Sequence, residues 1–270
     1  MTTPALPEPD RVDAILREVA EADILPYFRQ LTADQVRQKS RQDDLVTVAD
    51  EAAERSLTRR LSALVPGSVV VGEEAVAADR GVLDRLFGDD PVWVIDPVDG
   101  TLNFASGRPA FAVIVAYVQG GETLAGWIHD PLGRRTAMGV RGQGAWMEGR
   151  RLSVAPPADV GSMIGAISTR FCDDSLSRRL KDRVQAIGRT SCLASAAHEY
   201  LRLLDGSYHC TAYHRLMPWD HAAGVLLHAE AGGYAALADG TPYAPTRFGG
   251  SLLMAPDAQS WTRLRDHLFG

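Results

Sequence analysis

The residues able to do chemistry in this sequence are carboxylates gathered in four short segments. In VWVIDPVDGTLNF, residues 92–104, four apolar residues predict a strand that ends at Asp96. Pro97 blocks continuation of a regular ladder, and Gly100 permits a tight turn. Asp96 and Asp99 are therefore expected on a rigid turn at the carboxyl end of a strand, where ligand residues collect in α/β proteins. Two carboxylates so close repel one another unless positive charge lies between them, and hard divalent cations favour such an all-oxygen setting. The plain alternative is a turn, since Asp, Pro and Gly are ordinary turn residues. VVVGEEA, 69–75, puts Glu73 at the end of a second strand. LMPWDHAAGVLLHAEAGG, 216–233, puts Asp220 in the first turn of an amphipathic helix, where an acid also suits the helix start. KSRQDDLVTVAD, 39–50, carries Lys39, Asp44, Thr47 and Asp50 ahead of another helix. Each of these alone reads as surface or cap; together they form a set.

The elements that must position these groups follow from periodicity. Val12, Ile15, Leu16 and Val19 predict an amphipathic helix over about 11–30, kinked or ended by Pro26. A second helix is expected from about Asp50, with Ala53, Leu57, Leu61 and Leu64 on one face and Pro66-Gly67 as its stop. Apolar runs bounded by turn residues predict strands at 69–71, 92–95, 111–118, 123–128, 135–140, 164–168, 208–212, 233–237 and 251–254. Helices are expected at about 175–187, 195–204, 219–230 and 257–269, the last capped by Asp257. Strands come in runs as well as alternating with helices, so mixed sheets fit better than a purely parallel one. Pro and Gly cluster only at 153–162. The expected organisation is a loose tail at 1–10, an α/β half at 11–155 with most of the carboxylates, and a second half at 156–270 with Asp220.

Composition bounds the function. The chain has 270 residues, 28 Lys plus Arg against 34 Asp plus Glu, and a net charge of −6. That balance disfavours non-specific nucleic-acid binding, which needs a cationic face. No apolar run approaches the ~20 residues that span a bilayer, and MTTPALPEPD lacks the apolar core of a secretory signal. A soluble, cytoplasmic protein is expected. Cys172, Cys192 and Cys210 form no paired motif and are expected as reduced thiols.

Taken in order, the four segments resemble the signature blocks of the inositol monophosphatase-like family of magnesium-dependent phosphatases, over about residues 11–269. The pairing of I-D-P-V-D-G-T-x-N-F with a downstream W-D-x-A-A-G is highly specific. The resemblance implies a five-layer α-β-α-β-α sandwich with mixed sheets, as in inositol monophosphatase and fructose-1,6-bisphosphatase. It also implies a homodimer, and hydrolysis of a small phosphate monoester with Mg²⁺, inhibited by Li⁺. By position, Glu73, Asp96 and the Val98 carbonyl would hold one Mg²⁺. Asp96, Asp99 and Asp220 would hold a second, with a third near Glu73 in some members. Asp50 and Thr101 match the pair that prepares the attacking water, with Glu73 assisting. Lys39 and Asp44 match a supporting block. The backbone around Gly100 and Thr101, together with Asp99, Ala194, Ser195 and Tyr213, would face substrate.

The chain departs from the family pattern at two of those places. Where inositol-specific members have a hydroxyl-binding glutamate, seven residues before the W-D aspartate, this chain has Tyr213, followed by His214 and Arg215. In ASAAHEY, 194–200, Ala194 replaces a glycine. Histidinol phosphate, fructose 1,6-bisphosphate, another sugar phosphate and a 3′(2′),5′-bisphosphonucleotide thus stand beside inositol phosphate as substrates. A haloacid dehalogenase-type phosphatase is disfavoured, because its D-x-D motif has one residue between the acids and this chain has two. A phosphatase-like protein that binds RNA or polymerase is the reading from a different class. His214, His221 and His228 are too few and too scattered for zinc, and Arg134, Arg135, Arg150 and Arg151 read as solvated.

Overall fold

The computed structural model describes residues 6–39 and 45–270. Helix α1 (Pro9–Val19) buries Val12, Leu16 and Val19 and takes in two residues of the expected tail. It runs on through a π turn, Ala20–Ile24, into a 3₁₀ turn, Leu25–Tyr27, so the helical path ends three residues before the expected 30. Pro26 sits inside that tight last turn. Strands β1 (Val36–Gln38) and β2 (Leu45–Thr47) form a small antiparallel pair that periodicity did not reveal. Helix α2 (Val48–Leu64) starts two residues before Asp50, because Thr47 is its cap: the Thr47 hydroxyl accepts the Ala49 N–H at 3.2 Å, and Asp50 accepts the Thr47 N–H at 2.9 Å.

The following stretch builds a seven-stranded sheet. Strand β3 (Val69–Gly72) leads into helix α3 (Glu73–Ala78) and a 3₁₀ stretch, Arg80–Phe87. Strand β4 (Val92–Asp99) is followed by the short helix α4 (Thr101–Ala105) and by β5 (Ala112–Gln119), β6 (Glu122–Asp130), β7 (Arg135–Val140), β8 (Ala145–Met147) and β9 (Arg150–Arg151). β3 lies parallel to β4, and the remaining neighbours are antiparallel. β4 does not end at Asp96 as expected. Asp96 pairs with Ile114 and Asp99 with Ala112, so two residues of β4 oppose one of β5. This bulge absorbs Pro97, which has no N–H for the ladder, and lets the strand continue to Asp99.

The rest of the chain supplies β10 (Ile164–Ile167), α5 (Asp174–Arg183), β11 (Arg189–Thr190), α6 (Ala196–Leu204), β12 (Cys210–Arg215), α7 (Pro218–Glu230), β13 (Tyr234–Leu237), β14 (Gly249–Ala255) and α8 (Ala258–Phe269). These strands form a mixed five-stranded sheet in the order β11-β10-β12-β14-β13. Asp257 caps α8, as expected.

The period-2 alternation of the strands sorts side chains between three apolar cores. Trp93, Ile95, Val113, Val115 and Tyr117 face Leu16 of α1 and Leu57 and Leu61 of α2. On the sheet's other face, Val92, Val94, Ile114 and Ala116 meet Tyr200 and Leu204 of α6 and Ala223 and Leu227 of α7, which also cover Tyr213, Leu252 and Met254 of the second sheet. The far face of that sheet packs Ala212, Leu253 and Ala255 against Leu180 of α5 and Trp261, Leu264 and Leu268 of α8. The layers are therefore helix, sheet, helix, sheet, helix. The three cysteines are free thiols, and among the described residues no helix is long and apolar enough to cross a membrane.

Among the described residues, buried polar atoms of Trp93, Gln119, Thr211, His228 and Tyr243 have no hydrogen-bond partner. His228 of α7 is fully buried, neither ring nitrogen has a hydrogen-bond partner, and burial pushes its pKa down to about 4. The unpartnered nitrogens cost desolvation at every pH, while the penalty from protonation is absent above the unfolded pKa of ~6.5 and grows as pH falls from there toward 4. His228→Leu is expected to be at least as stable as the parent at pH 7. At pH 4.5 it should gain on the parent by about 2–3 kcal/mol, read from denaturant unfolding at the two pH values; equal pH slopes would contradict this.

Candidate active site

The bulge in β4 decides where the first two carboxylates go. Asp96, Val98 and Asp99 line a cavity at the carboxyl end of β4, together with Glu73 and Asp220. Asp99 is fixed by the opening turn of α6: the Ala196 and Ala197 N–H groups donate to it at 3.1 and 2.9 Å, and the Ser195 hydroxyl makes a short hydrogen bond to its Oδ2. Gly100 follows at φ +86°, and a Cβ there would lie 2.7 Å from the Ala110 carbonyl oxygen. No other residue fits that corner without moving backbone. Asp220 arrives from the first turn of α7, and its carboxylate oxygen, with one each from Asp96 and Asp99, forms a set lying within 4.8 Å of one another.

These carboxylates are held in a state that calls for positive charge. Burial, then the negative charges of Glu73, Asp99 and Asp220, raise the Asp96 pKa well above the ordinary range. Burial likewise raises Asp99, despite its three hydrogen bonds. Asp220 is pushed up to about 8 by burial, with Arg215 opposing and Glu73 and Asp99 adding to the rise. The donor set is all oxygen, clustered and buried, which fits a hard divalent cation. Val98 also lines this cavity, and its carbonyl oxygen and Asp50 Oδ1 both lie 3.1 Å from Thr101 Oγ1, sharing the one proton that hydroxyl can donate. Glu73 lies outside the tight set. Its Oε1 accepts a hydrogen bond from Lys39 Nζ at 2.9 Å, and Lys39 also bonds Glu74 at 2.6 Å. Although burial works against the Lys39 charge, these two pairs raise its pKa. Asp44 lies outside the described residues.

Asp50 and Thr101 meet beside this cluster, with Thr101 Oγ1 3.1 Å from Asp50 Oδ1. The other Asp50 oxygen accepts from the Thr47 N–H at 2.9 Å and its hydroxyl at 2.5 Å. Burial pushes Asp50 up to about 7. One turn along α2, Glu54 supports the same corner by accepting the Glu74 and Ala75 N–H groups of α3, both at 2.8 Å. A Cβ at Gly72 would lie 2.4 Å from the Glu54 carboxyl carbon and would displace that carboxylate from the α3 N–H groups. Sequence reasoning passed over Glu54; its i, i+4 spacing from Asp50 was the available signal.

The residues expected to face substrate divide. Ala194 lines the cavity at φ +54°, a left-handed conformation that its Cβ makes unfavourable and that the glycine of the family pattern would adopt freely. Ser195 lines it too, but its hydroxyl is committed to Asp99 and, as acceptor, to the His198 N–H. Tyr213 offers a ring, while its hydroxyl donates to Glu199 Oε2 at 2.8 Å. Glu199, a buried carboxylate of α6 that burial holds above its ordinary pKa, was missed in the sequence because its helix position reads as solvated surface. Both His214 nitrogens are occupied, by Ser251 Oγ at 2.8 Å and the Ser168 carbonyl at 2.9 Å. His221 is bonded to Tyr200 and to the Arg215 carbonyl, both at 3.0 Å, so the histidines serve the fold. Arg134, Arg150 and Arg151 are exposed and Arg135 pairs with Asp130 at 3.1 Å.

Two outcomes follow from this geometry. Asp220 has a folded pKa above its unfolded value, so its protonated form favours folding fully below about pH 4, and that contribution is lost as pH rises through about 8. A divalent cation bound by the cluster would replace the proton, so a Mg²⁺-induced rise in melting temperature should be larger at pH 8.5 than at pH 5.5 and should shrink in Asp220→Asn; a pH-independent rise would contradict the cluster's role. Ala194→Gly should relieve the left-handed backbone and raise stability by about 1 kcal/mol, measured by chemical denaturation.

Comparison with known proteins places the chain. The model of the inositol monophosphatase family matches residues 9–263. A fructose-1,6-bisphosphatase/inositol-1-monophosphatase of Thermotoga maritima is 31% identical over 227 residues, 83% of each chain. Inositol-1-monophosphatase SuhB of Mycobacterium tuberculosis is 33% identical over 247 residues, covering 83% of this chain and 84% of that one. In fold, the crystal structure of extragenic suppressor protein suhB from Bartonella henselae superposes with a TM-score of 0.82 at 23% identity, covering 96% of this chain and 98% of that one. The signature carboxylates, the layered fold and the match along almost the whole chain lead to one conclusion: this protein belongs to the inositol monophosphatase family and is a phosphoric monoester hydrolase.

Proposed function

We propose that the protein hydrolyses a small phosphate monoester with Mg²⁺ held by Asp96, Asp99 and Asp220, joined by Glu73 and the Val98 carbonyl. The observation that carries this reading is the convergence of three carboxylates within 4.8 Å, Asp96 and Asp99 buried and Asp220 half-buried, beside a hydrogen-bonded Thr101–Asp50 pair. Bound there, two Mg²⁺ ions supply the positive charge that neutralises the phosphoryl oxygens and leaving alkoxide and makes water more acidic, for a reaction class whose uncatalysed rate demands accelerations up to ~10²¹.

The chain's own groups then orient and move protons. Thr101 Oγ1 can accept a hydrogen bond from a water in the cavity while its own proton points to Asp50 Oδ1. As the water attacks phosphorus, its proton passes to Thr101 Oγ1 and the Thr101 proton to Asp50 Oδ1; the ester P–O bond breaks on the opposite side, and the leaving alkoxide takes its proton from solvent water. Thr47 holds the far oxygen of Asp50, so the carboxylate keeps its orientation. A base near pH 7 suits this role at neutral pH. The residues Gly100 and Thr101 at the start of α4, with Ala194 across the cavity, enclose the place of the ester.

The test is phosphate release from inositol, histidinol, hexose and nucleotide phosphates with and without Mg²⁺. Asp96→Asn should lower kcat by several orders of magnitude with the fold retained by circular dichroism. Thr101→Ala should lower kcat by about 10²–10⁴ with KM little changed. Because Asp50 must be deprotonated to accept a proton, the rate should rise with pH up to about 7, with the limb moved lower by nearby Mg²⁺. Near-normal turnover in Asp96→Asn would overturn the reading. Silence of the parent protein on the whole panel would favour a partner-binding role instead.

A further inference from the structure

Asn103 ties together two sides of the cavity that come from distant parts of the chain. It lies in α4, two residues after Thr101, and is 2% exposed. Its Nδ2 donates to the carbonyl oxygens of Ala110 at 2.7 Å, Leu193 at 2.9 Å and Ala194 at 3.2 Å. Three carbonyls around one side-chain atom call for a donor, so the amide NH₂ faces them and shares its two hydrogens among the three. Leu193 and Ala194 are 90 and 91 residues away in sequence, just ahead of α6.

The backbone held in this way is strained. Ala194 lines the cavity at φ +54°, which its Cβ opposes, and such a conformation persists only where the surroundings over-determine it. The Leu193 and Ala194 carbonyls belong to the peptide planes on either side of the Ala194 Cα, so fixing both planes fixes the φ and ψ between them. Other ties act elsewhere. Asp99 accepts from Ser195, Ala196 and Ala197, and His198 Nε2 bonds the Phe111 carbonyl at 3.1 Å, all at or beyond Ser195. Glu199 accepts the Leu193 N–H at 2.9 Å, but it belongs to α6 and closes that turn on itself. Of these groups, Asn103 alone fastens both peptide planes to α4. The Ala194 carbonyl also lies close to the Gly100 corner, 3.5 Å from where a Cβ would stand.

We propose that Asn103 is a positioning residue: its amide clamps the peptide groups on both sides of Ala194 to α4, keeps Ala194 left-handed and sets the cavity wall at a fixed place relative to Thr101. This rests on the hydrolase reading above and adds to it what holds the wall that faces the ester. Thr101, Asp50 and Asp99 keep their own hydrogen bonds without the clamp. Its loss therefore falls on the seating of the substrate rather than on the chemical step.

A double-mutant cycle in the whole protein tests this. In the parent, Ala194→Gly should favour folding about fivefold, because glycine takes the left-handed conformation freely. Asn103→Leu keeps the side chain's size and removes its donors, so Ala194 relaxes and the same glycine change should gain less than twofold, both read from chemical denaturation. Asn103→Ser, which fits the same space, carries the cycle if Asn103→Leu does not fold. On whichever ester the parent cleaves, in saturating Mg²⁺, the Asn103 variant should raise KM at least tenfold with kcat within threefold. The Mg²⁺ concentration for half-maximal rate should stay within twofold, a pattern that general loosening of the fold does not give. An equal Ala194→Gly gain in both backgrounds, or a loss confined to kcat with KM unchanged, overturns the proposal. If the folded parent cleaves no ester of the panel, the hydrolase reading fails, while the folding cycle, which needs no activity, still decides whether Asn103 holds Ala194.

Discussion

Like charges crowded away from water govern this structure. Asp96, Asp99 and Asp220 bring carboxylate oxygens within 4.8 Å of one another. Two unit charges about 4 Å apart repel by roughly 4 kcal/mol at an effective dielectric constant of 20, and burial adds to that for each group. The raised pKa values of all three express the same fact, since a proton is the smallest cation that relieves it. The chain tolerates the arrangement because three separate apolar cores, on both faces of both sheets, lock the elements that carry these side chains. Stability made in the cores is spent at one end of one strand, and the result is a site preorganised to draw in positive charge.

The backbone around that site breaks local rules in the same confined region. A bulge accommodates Pro97, Gly100 turns left-handed against the Ala110 carbonyl, and Ala194 and Phe171 take left-handed conformations as well. Each aims something at the cavity. The bulge aims Asp96 and Asp99, the Gly100 corner places Thr101 against Asp50, Ala194 leads into the α6 turn that fixes Asp99, and the Phe171 ring packs under the guanidinium groups of Arg170 and Arg215. Elsewhere the ladders shift register at Tyr117/Val118 in β5–β6 and at Tyr213/Arg215 in β12–β14.

The division explains what could be read from the sequence. Periodicity reports burial, so the strands at 92–95, 111–118 and 123–128 and the helices around 53–64 and 219–230 were legible from their apolar faces. The aspartates were legible because Asp-Pro and Asp-Gly punctuate an apolar run. Periodicity does not report hydrogen bonds between distant segments. Glu199 looks like a solvated helix acid until Tyr213 and the Leu193 N–H are brought to it. Glu54 looks the same until α3 starts against it. The end of β4 was misread for a related reason: Pro97 forbids a ladder bond at one residue, but a bulge can carry the strand past it. Short strands such as β1 and β2 have too few residues for a pattern to form.

Glu73 shows how one lysine can serve this site without blocking it. Asp50, Glu54, Glu73 and Glu74 converge on the β3–α3 corner, and Lys39 is the cation that bonds two of them. Without it, Glu73 and Glu74 would repel each other at the start of α3, where burial already pushes Glu74 to about 8. Lys39 takes Oε1 of Glu73, leaving Oε2, which makes no hydrogen bond among the described residues, free to turn to the cavity. A carboxylate has lone pairs enough to accept from an ammonium on one oxygen and serve a cation through the other. The lysine therefore holds Glu73 at the rim of the cavity, outside the cluster that Asp96, Asp99 and Asp220 form.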